Sequence, residues 1–282
     1  MTQVYLPPDA NCLLTTLHHC LRSKNYVNLI IGSKQPTAVY LTPSEAAEHC
    51  AAGAGIFHFA STPPADAATP SRTGSTERPA VVLCGIGTET TFEAVQAAAL
   101  LRKLAPSLHV RVANVTDLMV LSAEDSHPHA LSPAAFDELF PPGCPVLFNY
   151  HGYASELRAL LFCRLVDENL RRGVHGPARR VEVRSYEEEG STTTPFDMML
   201  ANRVSRFHVA AWAVRAAVAA GWNGAGDDHV DRDSGQAAEA EWVGQTAVEK
   251  EIWRRAKDVK DFINKEGKGL CARLVVSDEH LS

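Results

Sequence analysis

Short apolar runs that each lead into a stretch of helical spacing constrain this chain more than any other feature. Ala80–Cys84 (AVVLC), His109–Val115 (HVRVANV), Pro145–Asn149 (PVLFN) and Arg180–Tyr186 (RVEVRSY) read as strands, and Val27–Ile31 (VNLII) as one more. Between them lie helical patterns: Thr88 to Leu104 with Phe92, Val95, Ala99 and Leu100 on one side, Ser132–Phe140, Glu156–Leu170 and Pro195–Ala220. A short strand that is apolar throughout must be covered on both faces, and helices between the strands supply that cover. The pattern predicts an α/β fold, a three-layer sandwich with a mostly parallel sheet of about five strands.

The flanks are different. Pro7, Pro8, Asp9 and Asn11 break or cap, and Leu13, Leu14, Leu17 and Leu21 then recur at helical spacing. Thr42-Pro43-Ser44-Glu45 carries a capping box with proline at the first helical position. Ser61–Pro79, rich in Ser, Thr, Pro and Ala, reads as a surface insert. Gly221–Ala237 reads as a linker, and Ala238–Asn264 as a charged amphipathic helix with Trp242, Val248, Ile252, Trp253, Val259 and Ile263 on its apolar side. The expected organisation is a lead-in over 1–26, an α/β domain over 27–220 and a helical tail over 221–282.

Composition narrows the partners. Hydrophobic residues make up 45% of the chain, enough for a sizeable core, and a net charge of -6 offers no basic face for nucleic acid or an anionic membrane. No apolar run is long enough to span a bilayer, and MTQVYLPPDAN has no basic start before an apolar stretch, so a cytoplasmic protein is expected. The seven cysteines are scattered with no Cys-x-x-Cys pair, which predicts reduced thiols rather than a disulfide framework or a zinc site.

Five places invite chemistry. Gly85-Ile86-Gly87 lies between a strand and a helix, where a dinucleotide loop would lie, but position 90 is Thr90 and the next strand ends near Asn114 rather than an acid; a tight turn is the better reading. His127-Pro128-His129 could offer metal ligands, yet no spacing defines a third and fourth, so a connecting loop is expected. His151-Gly152-Tyr153 follows a strand, at the edge where open α/β sheets hold ligands; His151 either lines such a crevice or caps and packs. Thr192, Thr193 and Thr194 precede Pro195; they could hold a phosphate at a helix start, but the acidic run before them repels one and Thr194 has the sequence of an N-cap. Gly32-Ser33-Lys34-Gln35-Pro36 leaves a strand end with one cation.

Longer strings carry a resemblance. Tyr5–Asn11 (YLPPDAN), Leu21–Pro36 (LRSKNYVNLIIGSKQP), Gly53–Ile56 (GAGI), Asn114–Met119 (NVTDLM), Ser126–Ser132 (SHPHALS), Asp137–Phe140 (DELF), His151–Tyr153 (HGY), Glu188–Met198 (EEGSTTTPFDM) and Asn202–His208 (NRVSRFH) resemble the end of a phosphoketolase, with the fungal type the expected one. The resemblance runs from about Val4 to Ala220. It implies a fold like the C-terminal domain of transketolase and a part in cleaving xylulose 5-phosphate, or fructose 6-phosphate, with phosphate to acetyl phosphate and an aldose phosphate. It implies thiamine diphosphate and magnesium in the full-length enzyme, bound by domains that precede this one. The Gly-Asp-Gly motif that holds the metal in the family has no counterpart here, since Gly226-Asp227-Asp228 lies in the linker.

The expected partners are therefore the other phosphoketolase domains and a second copy in a dimer, and this chain alone is expected to be inactive. One functional residue carries over by resemblance: Lys34, with Gln35 beside it, stands where the family contacts the substrate phosphate. The alternative is a stand-alone regulatory module that binds a metabolite near His151, Tyr153 and Thr192–Thr194.

Overall fold

A computed structural model describes residues 1–63, 78–172, 180–188, 194–224 and 246–266. The central sheet has five strands in the order β3 (Ala54–Ile56), β5 (Val110–Val115), β4 (Val81–Ile86), β6 (Val146–His151), β7 (Val181–Tyr186). All pairings are parallel except β3 with β5. Alternate residues of β4 feed two cores. Val81 and Leu83 join Val110, Val112 and Leu147 under α3 (Thr88–Leu104), α7 (Arg206–Ala219) and α8 (Ala247–Glu266). Val82, Cys84 and Ile86 join Ala113, Val115, Val146 and Phe148 under α4 (Pro133–Leu139) and α5 (Ala154–Arg172). The result is the expected three-layer sandwich, because parallel strands buried on both faces need helices above and below.

One strand sits elsewhere than the pattern suggests. Val27–Ile30, labelled β2, is a strand, but it pairs in parallel with β1 (Thr2–Tyr5) in a separate two-stranded sheet. The fifth place in the central sheet goes to β3, three residues too short to show a period. Between β1 and β2 runs α1 (Ala10–Arg22), so the first thirty residues form a β-α-β unit rather than a lead-in helix alone.

That unit is fastened to the sandwich by backbone and cap bonds. Asp9 accepts from Cys12 N at 2.8 Å as the N-cap of α1, and from Tyr40 N at 2.9 Å and Leu41 N at 3.1 Å. Leu6 N donates to Thr116 O at 2.7 Å, and Thr88 Oγ1 donates to Pro7 O at 2.9 Å. Leu6 itself is fully buried in the second core. The opposite side of the unit is apolar and open: Leu14 is 65% exposed and Leu21 78%, with Leu13 and Leu17 on the same stripe.

Other elements follow their local signals. Thr42 and Glu45 form the capping box of α2 (Pro43–Ala52), and Gly53 closes it at φ 74°. Ile252, Trp253 and Ile263 bury the apolar side of α8 against the sandwich. Trp242 and the first residues of the predicted tail helix lie outside the described residues. Cys12, Cys20, Cys50, Cys84 and Cys144 are free thiols, the five cysteines whose side chains are described.

Candidate strand-end site

The order β3-β5-β4-β6-β7 reverses direction between β4 and β6. At such a switch point the connections leave on opposite sides and open a crevice at the carboxyl ends of the strands. Gly85-Ile86-Gly87 and His151-Gly152-Tyr153 meet there. Gly85 is inside β4 and packs on α3, since a Cβ would lie 2.4 Å from Thr91 Cα. Gly87, at φ 106°, is the N-cap of α3, and a Cβ there would lie 2.7 Å from His151 Cβ. The left-handed backbone and that close approach both require glycine. Gly87, between the end of β4 and the start of α3, is thus the residue that lets His151 close on the start of that helix. Asn114, where a dinucleotide fold would carry an acid, instead joins His49 Nε2 at 2.8 Å, Gly85 O at 3.0 Å and Thr91 Oγ1 at 2.9 Å.

His151 ends β6 and meets Glu89 in the first turn of α3, with Nδ1 3.2 Å from Oε2. The Tyr186 ring stands edge-on to His151 with centroids 5.0 Å apart, and Glu188 approaches Nε2 at 4.0 Å. Ser33 Oγ donates to the other Glu89 oxygen at 2.5 Å and accepts from Gln35 N at 3.2 Å. A continuous chain, Gln35–Ser33–Glu89–His151, therefore joins the Gly32–Pro36 loop to the crevice. Burial would raise the Glu89 carboxyl, but hydrogen bonds from His151 and Ser33 outweigh it and hold its pKa down to about 2. Glu89 is an anion over the whole working range, a strong acceptor for both neighbours.

The sequence-derived residues are distributed unevenly. Lys34 and Gln35 are exposed in the loop that Ser33 anchors, and His151 is at the other end of the same chain of bonds. Tyr153 is exposed at the start of α5. Thr194 is engaged as an N-cap: it accepts from Asp197 N at 3.2 Å and donates to Asp197 Oδ2 at 2.9 Å, while Asp197 also pairs with Lys260. Thr192 and Thr193 lie outside the described residues. His127 and His129 belong to the connection that holds β1, with His129 Nδ1 2.6 Å from Asp117 and its Nε2 3.3 Å from Gln3. Glu89 went unnoticed in the sequence because an acid in a first helical turn is the usual complement to the helix dipole.

Residues 34–268 match the family model described as the XFP C-terminal domain, and residues 1–23 match that of D-xylulose 5-phosphate/D-fructose 6-phosphate phosphoketolase. The first match passes beyond Ala220, where the resemblance of strings ends, and takes in α8. A probable phosphoketolase of Schizosaccharomyces pombe is 46% identical over 218 residues, 77% of this chain and 24% of its own length. One from Rhodopseudomonas palustris is 44% identical over 215 residues, 76% of this chain and again 24% of its own. The chain thus spans about a quarter of the length of these relatives. Among solved structures, a transketolase from Leishmania mexicana aligns at a TM-score of 0.52 with 14% identity, over 80% of this chain and 26% of that one. One from Pichia stipitis aligns at 0.51 with 11% identity, over 77% and 25%. At such identities the likeness concerns the fold.

Proposed function

The chain belongs to the phosphoketolase family, and from that premise we propose that it serves as the C-terminal domain of an enzyme cleaving xylulose 5-phosphate with inorganic phosphate. The products are acetyl phosphate and an aldose phosphate, and fructose 6-phosphate is a second substrate. The enzyme is a carbon–carbon lyase of carbohydrate metabolism in the cytoplasm. Thiamine diphosphate supplies the bond-breaking chemistry in this class, with magnesium as its metal.

The described residues of the crevice do not fit that cofactor. The strand-end crevice sets the carboxylates of Glu89 and Glu188 around His151, a donor set that repels a diphosphate. Among the described residues no group of three His, Cys, Asp or Glu side chains could hold a metal ion. On this reading cofactor and metal belong to the other domains. The same carboxylates weigh against a separate site for an anionic metabolite beside His151.

The chain's own part is to bind and to orient. The carrying observation is the Gly32–Pro36 loop, which leaves β2 with the Lys34 ammonium exposed and its base tied down at Ser33. A charge-assisted bond from such a lysine to a sugar phosphate contributes about 1.5–3 kcal/mol when desolvated. The remaining domains are the natural cover for the leucine stripe of α1. A stripe of that kind seldom faces water, and a two-stranded sheet such as β1–β2 is marginal unless extended or packed. A dimer of full-length chains is the expected assembly.

The test has two arms. The 282-residue chain, given thiamine diphosphate, magnesium, xylulose 5-phosphate and phosphate, should form no acetyl phosphate; robust turnover would overturn the assignment of the cofactor to other domains. In the full-length enzyme Lys34→Ala should raise the KM for sugar phosphate roughly ten- to hundred-fold with a smaller change in kcat. Unchanged kinetics would remove Lys34 from the phosphate site.

A further inference from the structure

The contact between Ser33 and Glu89 crosses from the β-α-β unit to the sandwich, and it lies one residue from the cation just discussed. Ser33 is in the loop after β2, whereas Glu89 belongs to α3. The loop has few other means of holding a shape. Gly32, Lys34, Gln35 and Pro36 are all exposed, and only Ser33 is half-buried. Its hydroxyl uses both capacities, accepting from Gln35 N at 3.2 Å and donating to Glu89 at 2.5 Å. The first bond folds the loop around Lys34, and the second fixes the folded loop to the helix.

Glu89 is held in turn from behind. His151 Nδ1 is 3.2 Å from its second oxygen, and the Tyr186 ring restricts His151 from the side. Gly87 admits the imidazole to this position, since any Cβ there would collide with it. The carboxylate is thus oriented by two partners, Ser33 in the loop after β2 and His151 at the end of β6, and a rotamer change at Glu89 would lose both bonds.

We propose that Glu89 is a positioning residue of the phosphate site: backed by His151, its carboxylate anchors Ser33 and thereby sets where the Lys34 ammonium stands. The functional part of this inference rests on the reading of Lys34 as a phosphate contact. Glu89 touches no substrate. It acts through the loop, at the junction of the β-α-β unit with the sandwich, and so couples the geometry of the crevice to that of the cation. Electrostatics alone predicts the opposite sign, because an anion near Lys34 disfavours phosphate and its removal should strengthen binding.

The experiment uses the 282-residue chain and inorganic phosphate, with Glu89→Ala, Ser33→Ala, the double variant and Glu89→Gln, which keeps an acceptor for Ser33. Backbone order parameters of Ser33–Gln35 from nitrogen relaxation should fall from about 0.85 to below about 0.6 in Glu89→Ala and in Ser33→Ala. The double variant should be no looser than either single one, and Glu89→Gln should stay near the parent. Phosphate titration followed at the loop amides should show affinity lowered roughly five- to ten-fold in Glu89→Ala despite the lost negative charge.

An unchanged order parameter in a folded Glu89→Ala, or affinity that rises, overturns the proposal. If phosphate moves no loop amide in the parent chain while Glu89→Ala still loosens the loop, the anchor stands and the Lys34 reading falls. Should Glu89→Ala fail to fold, Ser33→Ala and Glu89→Gln decide: Ser33→Ala must loosen the loop and Glu89→Gln must not.

Discussion

The most deeply buried ion pair among the described residues joins a residue of a family-like string to one outside any of them. Arg206, from NRVSRFH, is 2% exposed and Glu93 is 0% exposed. Glu93 accepts from the Arg206 backbone N at 2.5 Å, Nε at 2.9 Å and Nη2 at 2.6 Å. A carboxylate so placed fixes the start of α7 on α3, and the loss of one partner strands the other charge. Glu93→Ala should lower the unfolding free energy by about 3–5 kcal/mol, and the combined change to Glu93→Met with Arg206→Leu should cost much less. Urea titration measures both, and a double variant as damaged as the single one would sink the account. Neither residue was legible as a pair in the sequence, because 113 positions separate them and each alone reads as a helix-surface charge.

At the level of elements, the amphipathic pattern of the tail helix was readable and its docking place was not. Trp253 of α8 meets His208 of α7 edge-on, with ring centroids 5.0 Å apart, and His208 Nδ1 lies 2.8 Å from Ser205 Oγ. Burial, reinforced by Arg184, Arg203 and Arg215, pushes the His208 imidazole down to about 3. The unfolded chain takes up a proton there at about pH 6.5. Below that pH the unfolded state binds the extra proton and the folded state does not, so stability is complete above 6.5 and falls as pH drops toward 3. Between pH 6.5 and 5 the group should account for a loss of about 1–2 kcal/mol. Denaturation of the parent and of His208→Gln at both pH values checks this. Equal slopes would show that the imidazole charges without opening the contact of α7 with α8.

On the scale of the whole molecule, a few bonds join the segments matched by the two family models. Asp9 both caps α1 and receives the backbone of Tyr40 and Leu41. Asp9→Ala should therefore cost about 2–4 kcal/mol, a cap together with two stranded backbone donors. It should also free residues 1–30 for proteolysis before the sandwich unfolds. Parent and variant can be compared by limited digestion and by melting. A variant that still melts in a single step, with its first thirty residues as protected as in the parent, would refute the idea of one fastened unit.

What the sequence determined by itself was whatever has a short period or a local cap. Four of the five strands of the central sheet and the helices between them follow from apolar runs and 3.6-residue spacing. The capping box at Thr42 and the cap at Thr194 follow from residues three apart. Tertiary structure decided the rest. It put Val27–Ile30 beside Thr2–Tyr5 instead of in the main sheet, since a four-residue strand with three apolar side chains does not specify its neighbour. It gave the edge of that sheet to Ala54–Ile56, too short to signal. It also joined Ser33, Glu89 and His151 from three separate segments. Their meeting depends on strand order and on the reversal between β4 and β6, and strand order is a matter of long-range packing that no local pattern encodes.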